Sequence, residues 1–328
     1  MSLAQTELKD SALKHTAPDA PILRPDGWLS DFEWRDGRIL IRKTGIRIRL
    51  DPHVLHEIFN WVLYLALVHL VAFGTHLTGR PRPRLWFAPD QPRPWYLVRG
   101  AAMWSGIDLA KRAQDADAAI YFDDSTTGDA PASLVAKRFN HGCTDISKSH
   151  VTRVFEEIFG YPLAVNPLLI AGEIVEKPEK NGVHGGRIVM APCPPRSGFV
   201  YQRLIDSRDS DGCCHDLRTP CAGGEAVLVW IKVKTPEGRF SIHNRSAALA
   251  EVADIYTPQE QALIRQFTAR MGLDWGGLDI LRDRGDGRIY IVDVNKTDLG
   301  PLIALSWRDK VRSMNRLSSA LRRLVSPA

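Results

Sequence analysis

A β-hairpin predicted over residues 277–295 constrains this 328-residue chain more than any other segment. Two strand-like runs flank residues 285–287, Gly-Asp-Gly, which suit a short hairpin loop. With a loop of three residues, Asp279 lies directly opposite Asp293 on the neighbouring strand. Like charges at opposed positions destabilise an antiparallel pair, so this face of the hairpin requires a cation.

The residues around the two aspartates predict which cation binds. Asn295 follows Asp293 by two positions, so its side chain points to the same face. Two carboxylates and an amide oxygen are hard ligands of the kind Mg²⁺ takes, usually with substrate phosphates completing its shell. The sequence therefore predicts a magnesium site at Asp279, Asp293 and Asn295. In the alternative register, shifted by one residue, the aspartates would point to opposite faces and apolar residues would change sides.

A second segment predicts a phosphate-binding loop. Lys177 ends a strand-like run, a glycine-bearing loop follows over residues 178–186, and another strand-like run begins at Arg187. Backbone N–H groups in such a loop can approach phosphates, and the lysine adds a point charge. The sequence contains neither the P-loop pattern nor the glycine pattern of dinucleotide-binding sites. The alternative to phosphate binding is that this loop only connects the two strands. The candidate phosphate ligands are Lys177, His184, Gly185 and Gly186.

Composition excludes several classes of protein. The chain is 44% hydrophobic and 25% charged, which excludes a largely disordered chain. Its net charge of +5 comes from scattered basic residues, so we expect no nucleic-acid partner, whereas anionic small molecules suit the sign. Five cysteines without C-x-x-C spacing and a polar N-terminal segment predict a reduced, cytoplasmic protein.

The N-terminal region contains one long apolar segment. A polar tail runs to Pro25, residues 28–50 alternate as a β-meander does, and the run from Ile58 to Gly74 predicts a helix. That run has 17 residues and two polar interruptions, which is short for a membrane span. We predict a helix buried in the core. A helix lying on a membrane surface is the alternative, and a spanning helix is the least favoured.

Six short motifs occur in an order typical of one known superfamily. They are DISKS at 145–149, VEKP at 175–178, VYQRLI at 200–205, DLR at 216–218, GGLDI at 276–280 and IVDVN at 291–295. From about Ala136 onward, the chain resembles the ATP-grasp superfamily. Its C-terminal part is similar to carboxylate–amine ligases of the D-alanine–D-alanine ligase and glutathione synthetase type.

This resemblance implies a fold of the α+β or α/β class. Two α+β subdomains would grip ATP in an ATP-grasp fold. A small pre-ATP-grasp α/β domain would precede them, after an N-terminal β-meander and the apolar helix. The implied domains are residues 1–80 for the tail, meander and apolar helix, residues 81–135 for the pre-ATP-grasp-like domain, and residues 136–328 for the ATP-grasp domain.

The resemblance also implies roles for single residues. Lys148 and Lys177 would contact ATP phosphates beneath a glycine-rich lid at residues 183–187. Asp209, with Asp206 as the alternative, would hold the ribose, and Arg218 would lie near the γ-phosphate or the acyl phosphate. Backbone groups of a hinge strand would bind adenine; the hinge residues are Gln202, Arg203, Leu204 and Ile205.

The sequence departs from the pattern of these ligases at several positions, including the hinge residues Gln202 and Arg203 and residues 296–301, and two further departures bear on the catalytic and metal-binding residues. Gly277 stands where some of them carry a catalytic arginine, so Arg218 or Lys296 would supply the missing charge. Asp293 stands where glutamate is commoner, which shortens the reach of one metal ligand. Arg218 and Lys296 are therefore the candidate catalytic residues.

The implied activity is an ATP- and Mg²⁺-dependent ligase that joins a carboxylate to an amine through an acyl phosphate. Its cofactors would be ATP and Mg²⁺, and its partners a small-molecule acid and a small-molecule amine. One alternative is an ATP-grasp kinase that phosphorylates a small metabolite. Another is a non-catalytic nucleotide-binding module apposed to a membrane through residues 58–74. An oligomer is compatible with each.

Overall fold

The computed structural model describes residues 28–42, 47–79, 81–183, 185–236, 238–240 and 244–326. The predicted tail up to Pro25 and the predicted lid residue His184 lie outside these ranges. The strands are β1 (Phe32–Arg35), β2 (Arg38–Ile41), β3 (Arg47–Arg49), β4 (Arg84–Pro89), β5 (Asp108–Leu109), β6 (Ala118–Phe122), β7 (Arg138–Phe139), β8 (Gly172–Pro178), β9 (Arg187–Ala191), β10 (Phe199–Arg203), β11 (Cys214–Ala222), β12 (Glu225–Ala226), β13 (Val229–Lys234), β14 (Ser246–Ala250), β15 (Trp275–Arg282) and β16 (Ile289–Asn295). The helices are α1 (Pro52–Leu77), α2 (Leu97–Trp104), α3 (Lys148–Phe159), α4 (Val252–Ile255), α5 (Pro258–Met271) and α6 (Trp307–Val325).

The N-terminal region forms the predicted meander and apolar helix. Strands β1, β2 and β3 make an antiparallel sheet. Helix α1 begins where the Asp51 side chain accepts a hydrogen bond from the backbone N–H of Val54 at 2.9 Å. The prediction that this helix is buried is wrong for most of its surface, because only 17% of its most apolar window is buried. Tyr64, Val68 and Ala72 form the buried side.

The second region is a small parallel sheet with strand order β5-β4-β6-β7. The sequence predicts strands over residues 85–88 and 118–122 with a helix between them, and the structure contains this strand–helix–strand unit. The spacing of apolar residues over 97–116 predicts one helix. This is wrong beyond Trp104, because Gly106 turns the backbone to a φ of +72° and the chain then enters β5. Strand β7 completes this sheet, although the predicted domain boundary at residues 135/136 comes before it.

The C-terminal region contains two antiparallel sheets. The smaller has strand order β10-β8-β9, and the larger has β14-β13-β11-β15-β16 with β12 beside β11. The sequence predicts an amphipathic helix over residues 147–159 with Gly160 as its stop. Helix α3 matches this span and ends at Gly160, whose φ of +75° suits glycine. The strand-like runs at residues 226–234 and 239–243 predict a paired hairpin. This is wrong, because β13 pairs with β14 and β11; residues 241–243 lie outside the described ranges.

The two faces of the larger sheet pack against different parts of the protein. One face carries Leu278, Ile280 and other apolar residues that pack on α3 and α5. The opposite face packs Trp230 and Trp275 against α6 and the small parallel sheet. Polar residues occupy the rest of that opposite face, next to the β10-β8-β9 sheet. The candidate site lies there.

Candidate active site

The hairpin of β15 and β16 brings the predicted metal ligands to one face. Asp279 lies opposite Asp293, as predicted, and Gly277 lies opposite Asn295. The connection covers residues 283–288 and is longer than the predicted loop of three. A register irregularity between Asp279 and Ile280 compensates for this difference, so the two carboxylates still face one another.

Asp279 is held by two cations from neighbouring strands. Its Oδ2 accepts a hydrogen bond from Arg218 of β11 at 2.9 Å, and its Oδ1 accepts one from Lys232 Nζ of β13 at 2.9 Å. Burial alone would raise the pKa of this carboxyl. Arg218 and Lys232 outweigh burial and hold the Asp279 pKa far below its usual range. Asp279 is therefore a permanent anion at the centre of the sheet.

Asp293 is held by a hydrogen bond from Lys148, the first residue of α3. Ser147 caps that helix and Lys148 begins it. The Lys148 Nζ donates to Asp293 Oδ1 and also to Asn181 Oδ1, the latter at 2.7 Å. Asn181 comes from the loop between β8 and β9, and its amide donates to the Val294 carbonyl at 3.3 Å. The predicted phosphate loop and the metal-ligand strand are thereby tied together.

Lys177 is a second lysine close enough to these carboxylates for their charges to act on it. It lies near the end of β8, whose neighbours are β9 and β10. Burial lowers the Lys177 pKa to about 8, even though Asp293 favours its protonated form; the charge of Lys148 lowers the pKa further. Lys148 therefore contacts Asp293, and Lys177 lies near enough to both for their charges to shift its pKa.

Arg218 takes the space that a side chain at position 277 would fill. Its guanidinium pairs with Asp279 and with the buried Asp298, which follows β16. A Cβ built on Gly277 would lie 3.0 Å from Arg218 Nε and 2.2 Å from Asp298 Oδ2. The absence of a side chain at Gly277 thus lets an arginine from the adjacent strand cover this position. Of the two predicted catalytic cations, Arg218 is the one in the cluster.

We expect Gly277→Ala to reduce turnover by roughly two orders of magnitude, because the new methyl group displaces the Arg218 guanidinium. Asp298 is 3% exposed and has little room to move away. The measurement is ATP-dependent turnover under saturating ATP. Gly74→Ala on α1 is the matched control, since a Cβ there meets nothing within 4 Å. Equal activity of the two variants would contradict the assigned position of Arg218.

The prediction from sequence missed part of this cluster. Lys232 and Lys234 alternate with apolar residues along β13, and both approach Asp216 of β11, at 3.6 and 2.8 Å. Asp298 was also missed, and burial raises its pKa despite the Arg218 partner. The alternation in β13 was a usable signal for the two lysines. Lys232 and Lys234 reach the site because β13 pairs with β11. The sequence of neither strand alone predicts that pairing.

The predicted hinge residues lie at the end of β10 and just after it. Gln202 is buried, and its amide donates to Thr152 Oγ1 of α3 at 2.8 Å. Arg203 donates to the Tyr290 hydroxyl at 3.0 Å. Leu204 is half-buried and Ile205 is buried. This segment joins the smaller sheet to the larger one.

Three further predicted residues lie outside the carboxylate cluster. Asp209 pairs with His215 Nε2 at 2.9 Å and lines a cavity of about 510 Å³ with Leu217, on the opposite face of β11 from Arg218. Gly185 and Gly186 lie in the loop before β9, where added Cβ atoms would each come within 2.9 Å of a side chain, Pro178 and Phe240 respectively.

Lys296, the other predicted catalytic cation, points toward the small parallel sheet. Its Nζ lies 3.9 Å from Asp123 Oδ2 and 4.7 Å from the centre of the Tyr121 ring. It is almost fully buried, and this burial lowers its pKa. Within the described ranges, its Nζ has no hydrogen-bond partner. Lys296 therefore lies between the hairpin and the end of β6, not among the Asp279 and Asp293 contacts.

The donor set at the hairpin fits a hard divalent cation. Asp279 and Asp293 face one another, and the Asp293 Oδ2 and the Asn295 amide have no hydrogen-bond partner in the described part of the chain. That part contains no group of three His, Cys, Asp or Glu side chains suited to a metal. A metal here would therefore depend on the Asn295 oxygen and on oxygens from a ligand.

Comparison with known proteins gives matches among solved structures. One is the ATP-grasp ligase PsnB complexed with minimal precursor, at 12% identity and a TM-score of 0.48, covering 75% of this chain and 100% of that one. Another is D-alanine–D-alanine ligase from Bacillus anthracis complexed with ATP, at 11% identity and a TM-score of 0.43, covering 74% and 95%. A RimK domain ATP-grasp protein from Sphaerobacter thermophilus has 13% identity and a TM-score of 0.43, covering 74% and 99%.

These similar structures are ATP-grasp proteins. They belong to the superfamily that the sequence motifs resemble. No family model and no curated protein matches the chain.

Proposed function

We propose that this protein is an ATP- and Mg²⁺-dependent ligase that joins a carboxylate to an amine through an acyl phosphate. The observation that carries the proposal is the set of cations on the opposed carboxylates: Lys148 contacts Asp293, and Arg218 and Lys232 contact Asp279. Carboxylates placed among lysines and an arginine suit a magnesium–polyphosphate ligand, in which the metal and the phosphates satisfy opposite charges.

The charge count of the cluster supports an anionic ligand. Five cationic side chains lie among four carboxylates, which leaves a net charge of +1 before any metal binds. Asp279, Asp293 and Asn295 would hold Mg²⁺, which would neutralise charge on the phosphates when bound. The members of the cluster are Lys148, Lys177, Arg218, Lys232, Lys234, Asp216, Asp279, Asp293 and Asp298.

Arg218 and Lys296 have separate roles in this proposal. In the first step, a substrate carboxylate attacks the γ-phosphorus of ATP and ADP leaves, and Arg218 stabilises the charge on the transferred phosphoryl group. In the second step, an amine attacks the acyl carbon, phosphate leaves and the amine loses a proton. Lys296, near Asp123, lies toward the small parallel sheet and is assigned to the acceptor side.

Hydroxylamine trapping tests the acyl phosphate. The purified protein is incubated with ATP, Mg²⁺, hydroxylamine and a panel of small carboxylic acids, and ADP and hydroxamate are both measured. We expect one hydroxamate per ADP with the cognate acid. A stable product that carries the γ-phosphate would instead establish the kinase alternative. ATP consumption that depends on an acid but never yields a hydroxamate would contradict the acyl phosphate.

We expect ATP affinity to fall as the pH rises above about 8, because the Lys177 pKa is about 8 in the free protein. Phosphate oxygens favour the protonated lysine, so above this pH binding takes up a proton and weakens by up to about tenfold per pH unit. Calorimetric titration with ATP between about pH 7 and 9 measures the slope. Lys177→Arg keeps its charge over this range, so it should remove most of the slope; an unchanged slope would exclude Lys177 as its source.

A further inference from the structure

Helix α1 carries an apolar stripe that no described part of the chain covers. Eight large apolar side chains on this helix are each at least 40% exposed. They recur at spacings of three and four residues, so most lie along one side of the helix. Glu57 is its only Asp, Glu, Lys or Arg residue. The stripe consists of Leu55, Ile58, Phe59, Val62, Leu63, Leu70, Phe73 and Leu77.

The other side of α1 is fixed to the folded body. Tyr64, Val68 and Ala72 are buried, and the Tyr64 hydroxyl lies 2.9 Å from the position of a Cβ built on Gly100 of α2. Near the end of the helix, Thr75 Oγ1 accepts a hydrogen bond from Arg82 at 3.1 Å. The apolar stripe is therefore held in a fixed orientation, facing away from the protein.

This attachment excludes a transmembrane orientation for α1. By length and composition, residues Val54–Leu77 could cross a bilayer. From Tyr64 onward, however, the helix contacts α2, which would have to enter the hydrocarbon together with the polar body. Only about ten residues precede Tyr64, and at 1.5 Å per residue they span roughly 15 Å. This is about half of the hydrocarbon thickness.

The charge around α1 favours an anionic surface as the occupant. Residues 35–50, directly before the helix, contain six basic residues and one acidic residue. Arg47 and Arg49 are exposed at the end of this segment, and two residues separate β3 from α1. An exposed apolar stripe next to a basic segment is the combination that binds the surface of anionic bilayers. A second copy seated on the stripe would bring a second basic segment to this region.

We propose that α1 lies in the interface of an anionic lipid membrane, with its exposed stripe among the acyl chains and the basic meander at the headgroups. This places the body of the protein on the membrane surface. The small parallel sheet and α2 lie next to that surface, because α1 packs on α2. The proposal is independent of the ligase activity, since no residue of the catalytic cluster takes part.

Vesicle cosedimentation of the full chain tests this proposal. We expect the protein to bind vesicles of phosphatidylcholine with phosphatidylserine, and to bind pure phosphatidylcholine at least about tenfold more weakly at about 0.1 M salt.

Two pairs of substitutions separate the apolar and the charged contributions to vesicle binding. Phe59→Glu with Phe73→Glu should reduce binding at least about tenfold. Arg47→Glu with Arg49→Glu should remove most of the preference for phosphatidylserine. All four residues are solvent-exposed, so thermal unfolding should stay near that of the natural chain.

The control variant is Leu134→Glu with Leu169→Glu, which adds the same charge at exposed apolar residues outside α1. We expect it to bind vesicles as the natural chain does. Equal loss in this control, or no vesicle binding by the natural chain, would overturn the proposal. Retention in the membrane after alkaline carbonate would indicate a spanning helix and would overturn it too. A dimer seen by light scattering that the Phe59 and Phe73 changes dissociate would identify a second copy as the occupant instead.

Discussion

Asp293→Asn should abolish the Mg²⁺ dependence of ATP binding and reduce turnover by about three orders of magnitude. The amide keeps the shape of the side chain but removes the charge that would hold the metal. It also frees Lys148, whose Nζ donates to Asp293 in the natural chain. Binding of ATP without Mg²⁺ should therefore stay unchanged or become tighter. Calorimetric titration with ATP, with and without Mg²⁺, measures both effects.

The matched control for this variant is Asp254→Asn. Asp254 is an exposed carboxylate on α4, and this substitution also removes one negative charge while leaving the cluster intact. We expect this control to keep the full Mg²⁺ enhancement. If Asp293→Asn keeps it as well, the opposed carboxylates do not hold the metal. A folded natural chain that binds no ATP would argue against the nucleotide site altogether.

The opposition of Asp279 and Asp293 was predictable from sequence because alternation along a strand fixes the face of every side chain. The turn was longer than predicted, yet the face was right because the irregularity after Asp279 restores the register. Local signals also sufficed for α3, where a capping serine and a terminal glycine mark both ends.

Contacts between distant segments were beyond such local signals. Lys232 reaches Asp279 only because β13 and β15 both pair with β11. The sequence of a single strand does not predict the order of strands in the sheet. Asp298 reaches Arg218 from beyond the end of β16 for the same reason. The expected burial of α1 failed in a related way. An apolar helix has the same composition whether protein or another environment covers it.

Arg218→Met should reduce the free energy of unfolding by about 3–5 kcal/mol, because it removes the partner of a buried carboxylate. Asp298 is 3% exposed, and its Oδ1 accepts from Arg218. Asp279 keeps its ion pair with Lys232, so most of the destabilisation comes from Asp298, which loses its partner. Urea unfolding measures the change. Arg265→Met is the control, since its ion pair with Glu225 is exposed and contributes little.

The pH dependence of this loss identifies Asp298 as its source. Burial already raises the Asp298 pKa with Arg218 present, and the methionine variant should raise it further. A carboxyl whose pKa is higher in the folded state favours folding at low pH and loses that contribution as the pH rises through the folded-state pKa. Arg218→Met should therefore be more destabilising at about pH 8 than at about pH 5. Adding Asp298→Asn should recover part of the stability at the higher pH but none of the turnover, because Arg218 is still missing from the proposed phosphoryl-transfer site. A loss that does not vary with pH would mean that packing of the arginine stem, rather than its charge, stabilises this part of the sheet.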